Sequence, residues 1–217
     1  MSTFGWPEFL FLLRAAGWSI ILTAIAFAIG SLSGGLFAIM RLAQNKLLRS
    51  LAAGYITIIQ SIPVLMILFM SYYGLTLFGF EIPPLLAASV SLSVYVSAYL
   101  AEIWRGSIQA VPQQQWEASA SLALTRFQQY RYIILPQALR ISLPPTVGFL
   151  VQLVKNTSIV SVVGFVELSR AGQLVNNATF KPFQVFLVVA ILYFAICFPL
   201  SRLSRHLERT LHVGRSH

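Results

Sequence analysis

The sequence WEASASLALTRFQQYRYIILPQALRISLPP, residues 116–145, is the longest polar-containing stretch between the apolar blocks of this chain. Its apolar and polar residues still alternate at helical spacing. Thr125-Arg-Phe-Gln128 fits a capping box, in which a threonine hydroxyl and a glutamine side chain satisfy free N–H groups at a helix start. The stretch is therefore predicted to form two short helices that are joined at residues 123–125.

The apolar blocks on either side of this stretch set the class of protein. The chain has 217 residues, of which 57% are hydrophobic and 10% are charged, whereas soluble domains carry about 25% charged residues. A helix needs roughly 20 mostly apolar residues to cross a bilayer. Five segments qualify or nearly do, at residues 17–40, 51–78, 84–103, 144–166 and 182–201. We predict an all-α integral membrane protein with about five transmembrane helices in a single domain, residues 1–217.

The placement of basic residues predicts the orientation of these spans. Most basic side chains fall on one side of the membrane, which the positive-inside rule assigns to the cytoplasm. This set comprises Arg41, Lys46, Arg49, Arg105, Arg126, Arg131, Arg140, Arg202, Arg205, Arg209 and Arg215. The opposite set comprises Arg14, Arg170 and Lys181. The N-terminus is predicted outside and the C-terminus in the cytoplasm, and the net charge of +9 then needs no nucleic-acid partner.

This orientation places residues 112–140 in the cytoplasm, between spans three and four, as a helix-turn-helix. From the residues alone, it is either a docking surface for a partner protein or an amphipathic hairpin at the membrane surface. Pro144 and Pro145 are predicted to begin span four, because proline suits the first turn of a helix. The link at residues 167–181 is polar enough to be predicted as a solvated outer loop.

Polar side chains inside the spans are the candidates for a solute pathway, although helix-to-helix hydrogen bonds are the commoner use of such groups. Lys155 lies within span four, where it could line the pathway, pair with a glutamate or extend to one end of the span. Glu102 and Arg105 are three residues apart and can pair on one helix face. The pathway candidates are Gln60, Pro63, Ser93, Ser97, Tyr99, Glu102, Lys155, Asn156, Thr157 and Ser158.

Catalytic and metal chemistry is not predicted for this chain. No phosphate-binding G-x-x-x-x-G-K motif occurs, and the acidic residues are six glutamates without an aspartate. The single cysteine, Cys197, excludes a disulfide within the chain. We therefore predict no catalytic residue, no metal site and no cofactor bound by this chain itself.

Three separate motifs resemble those of one transporter family. Glu117-Ala118, Leu122, the turn and Leu135-Pro136-Gln137-Ala138 resemble the EAA loop of ABC importer permeases. The segments AYLAEIWRGSIQAVP (residues 98–112) and KNTSIVSVVGFVEL (residues 155–168) resemble those that flank this loop in polar amino-acid permeases. The motifs occur in order at the family's spacing, and the resemblance covers most of the chain.

This resemblance implies the membrane-spanning permease subunit of an ATP-driven importer for a polar amino acid, in a bacterial inner membrane. The implied partners are ABC ATPase subunits that bind ATP and Mg, a second permease copy or a paralogous permease, an extracytoplasmic amino-acid-binding protein and the lipid bilayer. The residues implied to couple the chain to the ATPase are Glu117, Ala118, Ala120, Leu122, Ala123, Leu124, Thr125, Arg126, Leu135 and Pro136. The alternatives are a stand-alone secondary transporter of small polar solutes and a membrane enzyme.

The chain departs from the family pattern at specific positions. Ser119 replaces the usual third residue of the loop, an alanine, and Ala123 replaces a glycine. If the backbone at position 123 is left-handed, alanine costs about 1–2 kcal/mol there. Gln60-Ser61-Ile62-Pro63 keeps only the proline of an Arg-Gly-Thr-Pro motif. Asn156 stands where some relatives have an aspartate, which disfavours a cationic substrate, while Lys155 favours a carboxylate.

Overall fold

The computed structural model describes residues 4–77 and 79–212, and helices make up most of this part of the chain. Four helices are long and apolar enough to cross a membrane, and a bent pair brings the number to five. The predicted class, an all-α protein with about five spans, is confirmed. The helices are α1 (Trp6–Leu42), α2 (Lys46–Ser61), α3 (Val64–Leu77), α4 (Pro84–Gln109), α5 (Gln113–Ser121), α6 (Arg126–Val163), α7 (Leu168–Thr179) and α8 (Pro182–His212).

Some sequence predictions fall outside the described residues. These are the predicted end of span two at Phe78, the domain limits at residues 1–3 and 213–217, and the basic residue Arg215.

Helix α4 forms the centre of the bundle. Its Leu92, Val96 and Leu100 are buried against side chains of α1, α3 and α6. Helix α1 approaches α4 closely because Gly30 and Gly34 face it. A Cβ atom at Gly30 would lie 2.5 Å from the Val96 Cβ, and one at Gly34 would lie 2.9 Å from the carbonyl oxygen of Ser97. Small residues allow such approaches between helices in lipid.

Helix α8 is the most peripheral of the candidate spans. Only 17% of the most apolar 18-residue stretch of α8 is buried within the chain, against 67% of the corresponding stretch of α4. Large apolar side chains such as Phe183, Phe194 and Ile191 remain exposed along it. An apolar face of this kind suits lipid or another membrane protein.

Helix α1 is longer than the first predicted span, and the second predicted span is divided into two helices. Helix α1 begins at Trp6 rather than residue 17, and Glu8 accepts a hydrogen bond of 2.9 Å from the N–H group of Gly5 at this end. Gln60, Ser61 and Pro63 interrupt the apolar sequence of span two, and the structure has a break there, where α2 and α3 meet at an angle of 102°. Pro63 lies at this junction with an extended ψ of 135°. Proline lacks an N–H group and restricts the residue before it, so the helix restarts instead of bending.

The prediction that Pro144 and Pro145 begin span four is wrong. Both lie inside α6, which starts at Arg126 and contains the second predicted helix of residues 116–145, so that helix is not short. Interior prolines are tolerated in membrane helices. At this point α6 is tied to α8, since the Ser204 hydroxyl donates to the carbonyl oxygen of Pro144 at 2.9 Å.

The predicted solvated link after span four is also wrong. It contains the ordered helix α7, whose Leu168, Ala171 and Val175 are buried against α1 and α8. Buried positions recur at helical spacing along α7, and Glu167 begins the helix with a fully buried side chain. The polar composition of the link conceals one apolar helical face.

Candidate functional site

The stretch that opens the sequence analysis forms helix α5, a tight turn and the start of α6. Ala123 has a φ of 55°, which is the left-handed conformation. Leu124 donates from its N–H group to the carbonyl oxygen of Ser119 at 3.4 Å. The predicted capping box is confirmed, since the N–H group of Thr125 donates to Oε1 of Gln128 at 2.9 Å and Gln128 donates back to Thr125 Oγ1 at 3.4 Å.

One face of this helix-turn-helix is anchored to the bundle. The Trp116 ring contacts the Tyr130 ring edge-on, with centroids 5.1 Å apart. Both rings pack on the buried side chains of Val111 and Ile134. Ser119 is also buried, and its hydroxyl donates to the carbonyl oxygen of Trp116 at 2.8 Å. The serine that departs from the family pattern is therefore satisfied inside the anchored face.

The other face is open to solvent and carries most of the predicted coupling residues. Leu122 and Phe127 are 73% and 72% exposed, which is high for large apolar side chains. Gln113 donates to Oε1 of Glu117 at 2.8 Å on the exposed surface of α5. We call this surface the coupling face. Its exposed members among the predicted residues are Glu117, Ala118, Ala120, Leu122, Ala123, Thr125 and Arg126.

Leu135 and Pro136 lie further along, after a wider π-helical turn at Gln129–Ile134. Leu135 lines an apolar cleft of about 260 Å³ together with Ile39 and Trp104. Leu124 is half-buried, and its carbonyl oxygen accepts a hydrogen bond of 3.0 Å from the Gln129 side chain. The continuous α6 connects the coupling face to the membrane-spanning core.

Several of the pathway candidates make helix-to-helix or intrahelical hydrogen bonds. The Ser97 hydroxyl lies 2.6 Å from the Tyr55 hydroxyl, which joins α4 to α2. The Ser93 hydroxyl donates to the carbonyl oxygen of Ser89 at 2.6 Å. Gln60 is exposed but reaches the carbonyl oxygen of Ala98 at 3.4 Å. Pro63 is exposed at the junction between α2 and α3. The hydroxyls of Ser93 and Ser97 in α4 are thus hydrogen-bonded within the bundle.

Two further candidates lie on the half-buried side of α4. The Tyr99 ring stacks on the Phe149 ring of α6, with centroids 5.5 Å apart. Glu102 and Arg105 form the ion pair that their spacing predicts. Glu102 also lines an open cleft of about 500 Å³ between α4, α6 and α8, opposite Pro145 and Ser204.

The Lys-Asn-Thr-Ser candidates mark a change of helical winding. Helix α6 passes from α to 3₁₀ geometry at Thr157 and ends at Val163, before Gly164 with its φ of 86°. Lys155 is exposed, while Asn156 and Thr157 are buried. The Gln152 side chain donates to Asn156 Oδ1 at 3.1 Å, and the Ser158 hydroxyl donates to the carbonyl oxygen of Lys155 at 2.7 Å. The helix therefore becomes more tightly wound at this point without being interrupted. Lys155 is the exposed charged residue beside the change of winding.

Sequence reasoning missed the most elaborate polar cluster, which is centred on Glu167. The carboxylate accepts hydrogen bonds from the N–H groups of Arg170 at 2.8 Å and Ser169 at 2.9 Å. The hydroxyls of Tyr193 and Ser19 donate to its Oε2 at 2.9 and 3.4 Å. The cluster joins α1, α7 and α8. An acidic residue directly before an amphipathic helical pattern is the signal that could have located it.

Burial raises the pKa of the Glu167 carboxyl above its ordinary value. The hydrogen bonds from Ser169, Arg170, Tyr193 and Ser19 lower the pKa, but their effect is smaller than that of burial. The cluster therefore holds an acidic group whose charged form is disfavoured by its apolar surroundings.

Comparisons with known proteins agree with this architecture. The family described as "Binding-protein-dependent transport system inner membrane component" matches residues 26–213. The chain is 37% identical over 193 residues to the probable glutamine ABC transporter permease protein GlnM of Bacillus subtilis, covering 89% of each chain. It is 33% identical over 195 residues to the L-cystine transport system permease protein TcyB of the same organism, covering 89% of this chain and 83% of that protein.

A solved structure has the same fold. The crystal structure of an amino acid ABC transporter with histidines matches with a TM-score of 0.88 and 34% identity, covering 92% of this chain and 94% of that one. These proteins are transport subunits rather than enzymes. The chain belongs to the family of binding-protein-dependent transport system inner membrane components, the permease subunits of ABC transporters.

Proposed function

We propose that this chain is the membrane-spanning subunit of an ATP-driven importer that moves a polar amino acid into a bacterial cytoplasm. The names of its relatives support an amino acid as the solute. An extracytoplasmic binding protein delivers the amino acid to the outer side. The subunit works in the inner membrane beside a second copy of itself or a paralogous permease.

The coupling face carries this proposal. Its exposed Leu122 and Phe127 present apolar area that a partner can bury, and Glu117 adds a charge beside them. In this proposal, the face lies in the cytoplasm and docks on an ABC ATPase subunit, which binds ATP and Mg. Helix α6 runs without interruption from Arg126 to Val163. A displacement of its first turns, next to the ATPase, is therefore transmitted to the part of α6 inside the membrane.

The proposed mechanism needs two discrete arrangements that ATP binding biases, as in other lever-like transitions. The anchored side of the helix-turn-helix transmits force because Trp116 and Tyr130 are packed on buried side chains. The turn at Ala123 keeps α5 separate from α6, so that the ATPase subunit can bind the exposed side of α5.

The substrate is proposed to carry a carboxylate group that Lys155 attracts. An exposed ammonium within an apolar span is costly in lipid. The side of α6 that carries Lys155 is therefore proposed to face the pathway or the second permease subunit. In this proposal, a carboxylate on the solute is favoured and a cationic side chain is disfavoured.

The test of the docking role is a charge reversal, Glu117→Lys, in the full transporter with its ATPase and binding protein. The expected result is loss of ATPase co-purification and loss of uptake. Glu81→Lys makes the same charge change on an exposed residue away from the coupling face and is expected to leave both intact. Unchanged uptake and assembly in Glu117→Lys would contradict the docking role. Uptake by the purified permease without any ATPase would instead favour a secondary transporter.

A further inference from the structure

The end of α8 presents a basic face that the transport mechanism does not use. Arg202, Arg205, His206 and Arg209 are all exposed and line one shallow surface. Their spacing of three and four residues places them on one side of an α-helix. Four cationic or protonatable groups thus share about two helical turns.

The opposite side of the same helix packs on the bundle. The Ser204 hydroxyl donates to the carbonyl oxygen of Pro144 at 2.9 Å. Ser204 and Glu208 line the cleft between α4, α6 and α8. The nearest acidic residue in sequence therefore lies on the side toward the cleft, and the basic face points away from the rest of the chain.

The basic face follows directly after the apolar part of α8. Residues 182–201 contain no charged side chain. At 1.5 Å per residue, these 20 residues span about 30 Å, which is the thickness of the hydrocarbon core. The guanidinium of Arg202 lies over the Phe198 ring, 5.7 Å from its centroid. The face is thus at the depth of the lipid phosphates when the apolar part of α8 spans the membrane.

Like charges on one helix face repel one another and favour binding of a counter-charge. We propose that this face binds the phosphate groups of anionic phospholipids at the membrane surface. Each basic residue near such a surface contributes about 1 kcal/mol to lipid attraction, and guanidinium groups match phosphate oxygens in geometry. The proposal rests on the membrane insertion of α8 that the proposed function assumes, but it does not depend on the solute or on ATP coupling.

The test uses the full chain in a neutral detergent, with retained lipid counted by native mass spectrometry. Dioleoylphosphatidylglycerol is titrated against dioleoylphosphatidylcholine. The triple variant Arg202→Gln, Arg205→Gln, Arg209→Gln is expected to lose the preference for phosphatidylglycerol, with affinity falling at least about tenfold. The matched control Arg14→Gln, Lys46→Gln, Lys181→Gln removes three exposed cations elsewhere and is expected to keep the preference.

Further arms separate the sources of binding. Arg202→Lys, Arg205→Lys, Arg209→Lys keeps the charge and is expected to retain most of the preference, which guards against loss of folding as the explanation. Competition by millimolar inorganic phosphate that fully displaces the lipid would identify a free-anion site and overturn the proposal. Unchanged phosphatidylglycerol binding in the Gln variant would also overturn the proposal. So would a Gln variant that keeps its lipid binding but no longer co-purifies with the ATPase, because the basic face would then be a contact with the ATPase. Loss of lipid preference with normal uptake leaves the proposed function standing.

Discussion

The hydroxyl of Tyr193, in α8, donates a hydrogen bond of 2.9 Å to Oε2 of Glu167, the residue that begins α7. It also lies 2.9 Å from the Ser169 hydroxyl. This contact ties the short helix α7 to α8 through a polar pair in which Glu167 is fully buried and Tyr193 is half-buried. Such pairs are costly to leave half-satisfied, because the remaining partner keeps its desolvation penalty.

Removal of this hydroxyl is therefore expected to destabilise the protein. Tyr193→Phe leaves the ring in place and deprives Glu167 of one donor, at an expected cost of about 1–3 kcal/mol. The midpoint of thermal unfolding in a fixed detergent measures the effect. Tyr132→Phe alters an exposed tyrosine and is the matched control, with an unchanged midpoint. Equal midpoints for the two variants would show that the Glu167 cluster does not stabilise the fold.

The same cluster predicts a dependence on pH. Because burial raises the pKa of Glu167 in the folded state, the folded protein binds its proton more tightly than the unfolded chain does. The free energy of unfolding should then decrease as pH rises from the ordinary glutamate pKa of about 4.3 through the higher folded pKa. Below both values the carboxyl is protonated in either state and contributes no slope.

Glu167→Gln removes this ionisation and is expected to flatten the decline over that pH range, even if its overall stability is lower. Unfolding midpoints measured from pH 4 to pH 8 in one detergent provide the comparison. A decline of equal steepness in Glu167→Gln and in the unaltered protein would assign the pH dependence to other groups.

A second stability prediction concerns the contact between α1 and α4. A Cβ atom at Gly30 would lie 2.5 Å from the Val96 Cβ and 2.9 Å from the carbonyl oxygen of Ser93. Gly30→Ala must push the helices apart, and overpacking of this kind costs about 1–3 kcal/mol. Gly54→Ala is the control, since nothing lies within 4 Å of its added methyl group. The control is expected to be neutral or stabilising because alanine favours helix. A Gly30→Ala variant as stable as this control would contradict the close approach.

The sequence was sufficient for the fold class, the number of spans, the Glu102–Arg105 pair and the capping box at Thr125. These features depend on run length or on residues three or four positions apart. The predicted start of span four and the predicted solvated link were wrong, because contacts between residues far apart in the sequence determine the structure there. Pro144 lies inside the longer helix α6, which is tied to α8 by the Ser204 hydroxyl, sixty residues away. Glu167 is buried because α1 and α8 close over α7.

The candidate site shows the same division. The turn and the capping box of the helix-turn-helix could be predicted because they depend on neighbouring residues. The pathway candidates could not be ranked, because a serine in an apolar helix serves packing and solute binding equally well by sequence. Ser97 is assigned to packing by its contact with Tyr55, which lies in another helix. Lys155 differs from its neighbours Asn156 and Thr157 in being exposed, and exposure is a property of the whole bundle.

The turn between α5 and α6 leads to a prediction about Ala123, which replaces the glycine usual in the family. The left-handed φ of 55° at Ala123 is costly for alanine and free of steric strain for glycine. Ala123→Gly is expected to raise the free energy of unfolding by about 1 kcal/mol. Ala120→Gly, inside the neighbouring helix α5, should lower it, since glycine weakens helices. A destabilising effect of Ala123→Gly in thermal unfolding would indicate that the turn is built differently.

The last prediction concerns the choice of solute. If Lys155 faces the pathway, its charge repels a cationic solute and attracts a carboxylate, with a pair energy of about 4 kcal/mol at 4 Å in a partly screened site. In the reconstituted transporter, Lys155→Gln is expected to raise uptake of arginine relative to glutamate by at least about tenfold, while Lys155→Arg keeps the original preference. Lys181→Gln neutralises an exposed lysine outside the spans and should leave the ratio unchanged. Binding of each amino acid to the isolated binding protein is measured alongside, because that partner filters the solute first. An arginine-to-glutamate uptake ratio that is the same in Lys155→Gln and the unaltered transporter would remove Lys155 from the pathway and leave it a contact between permease subunits.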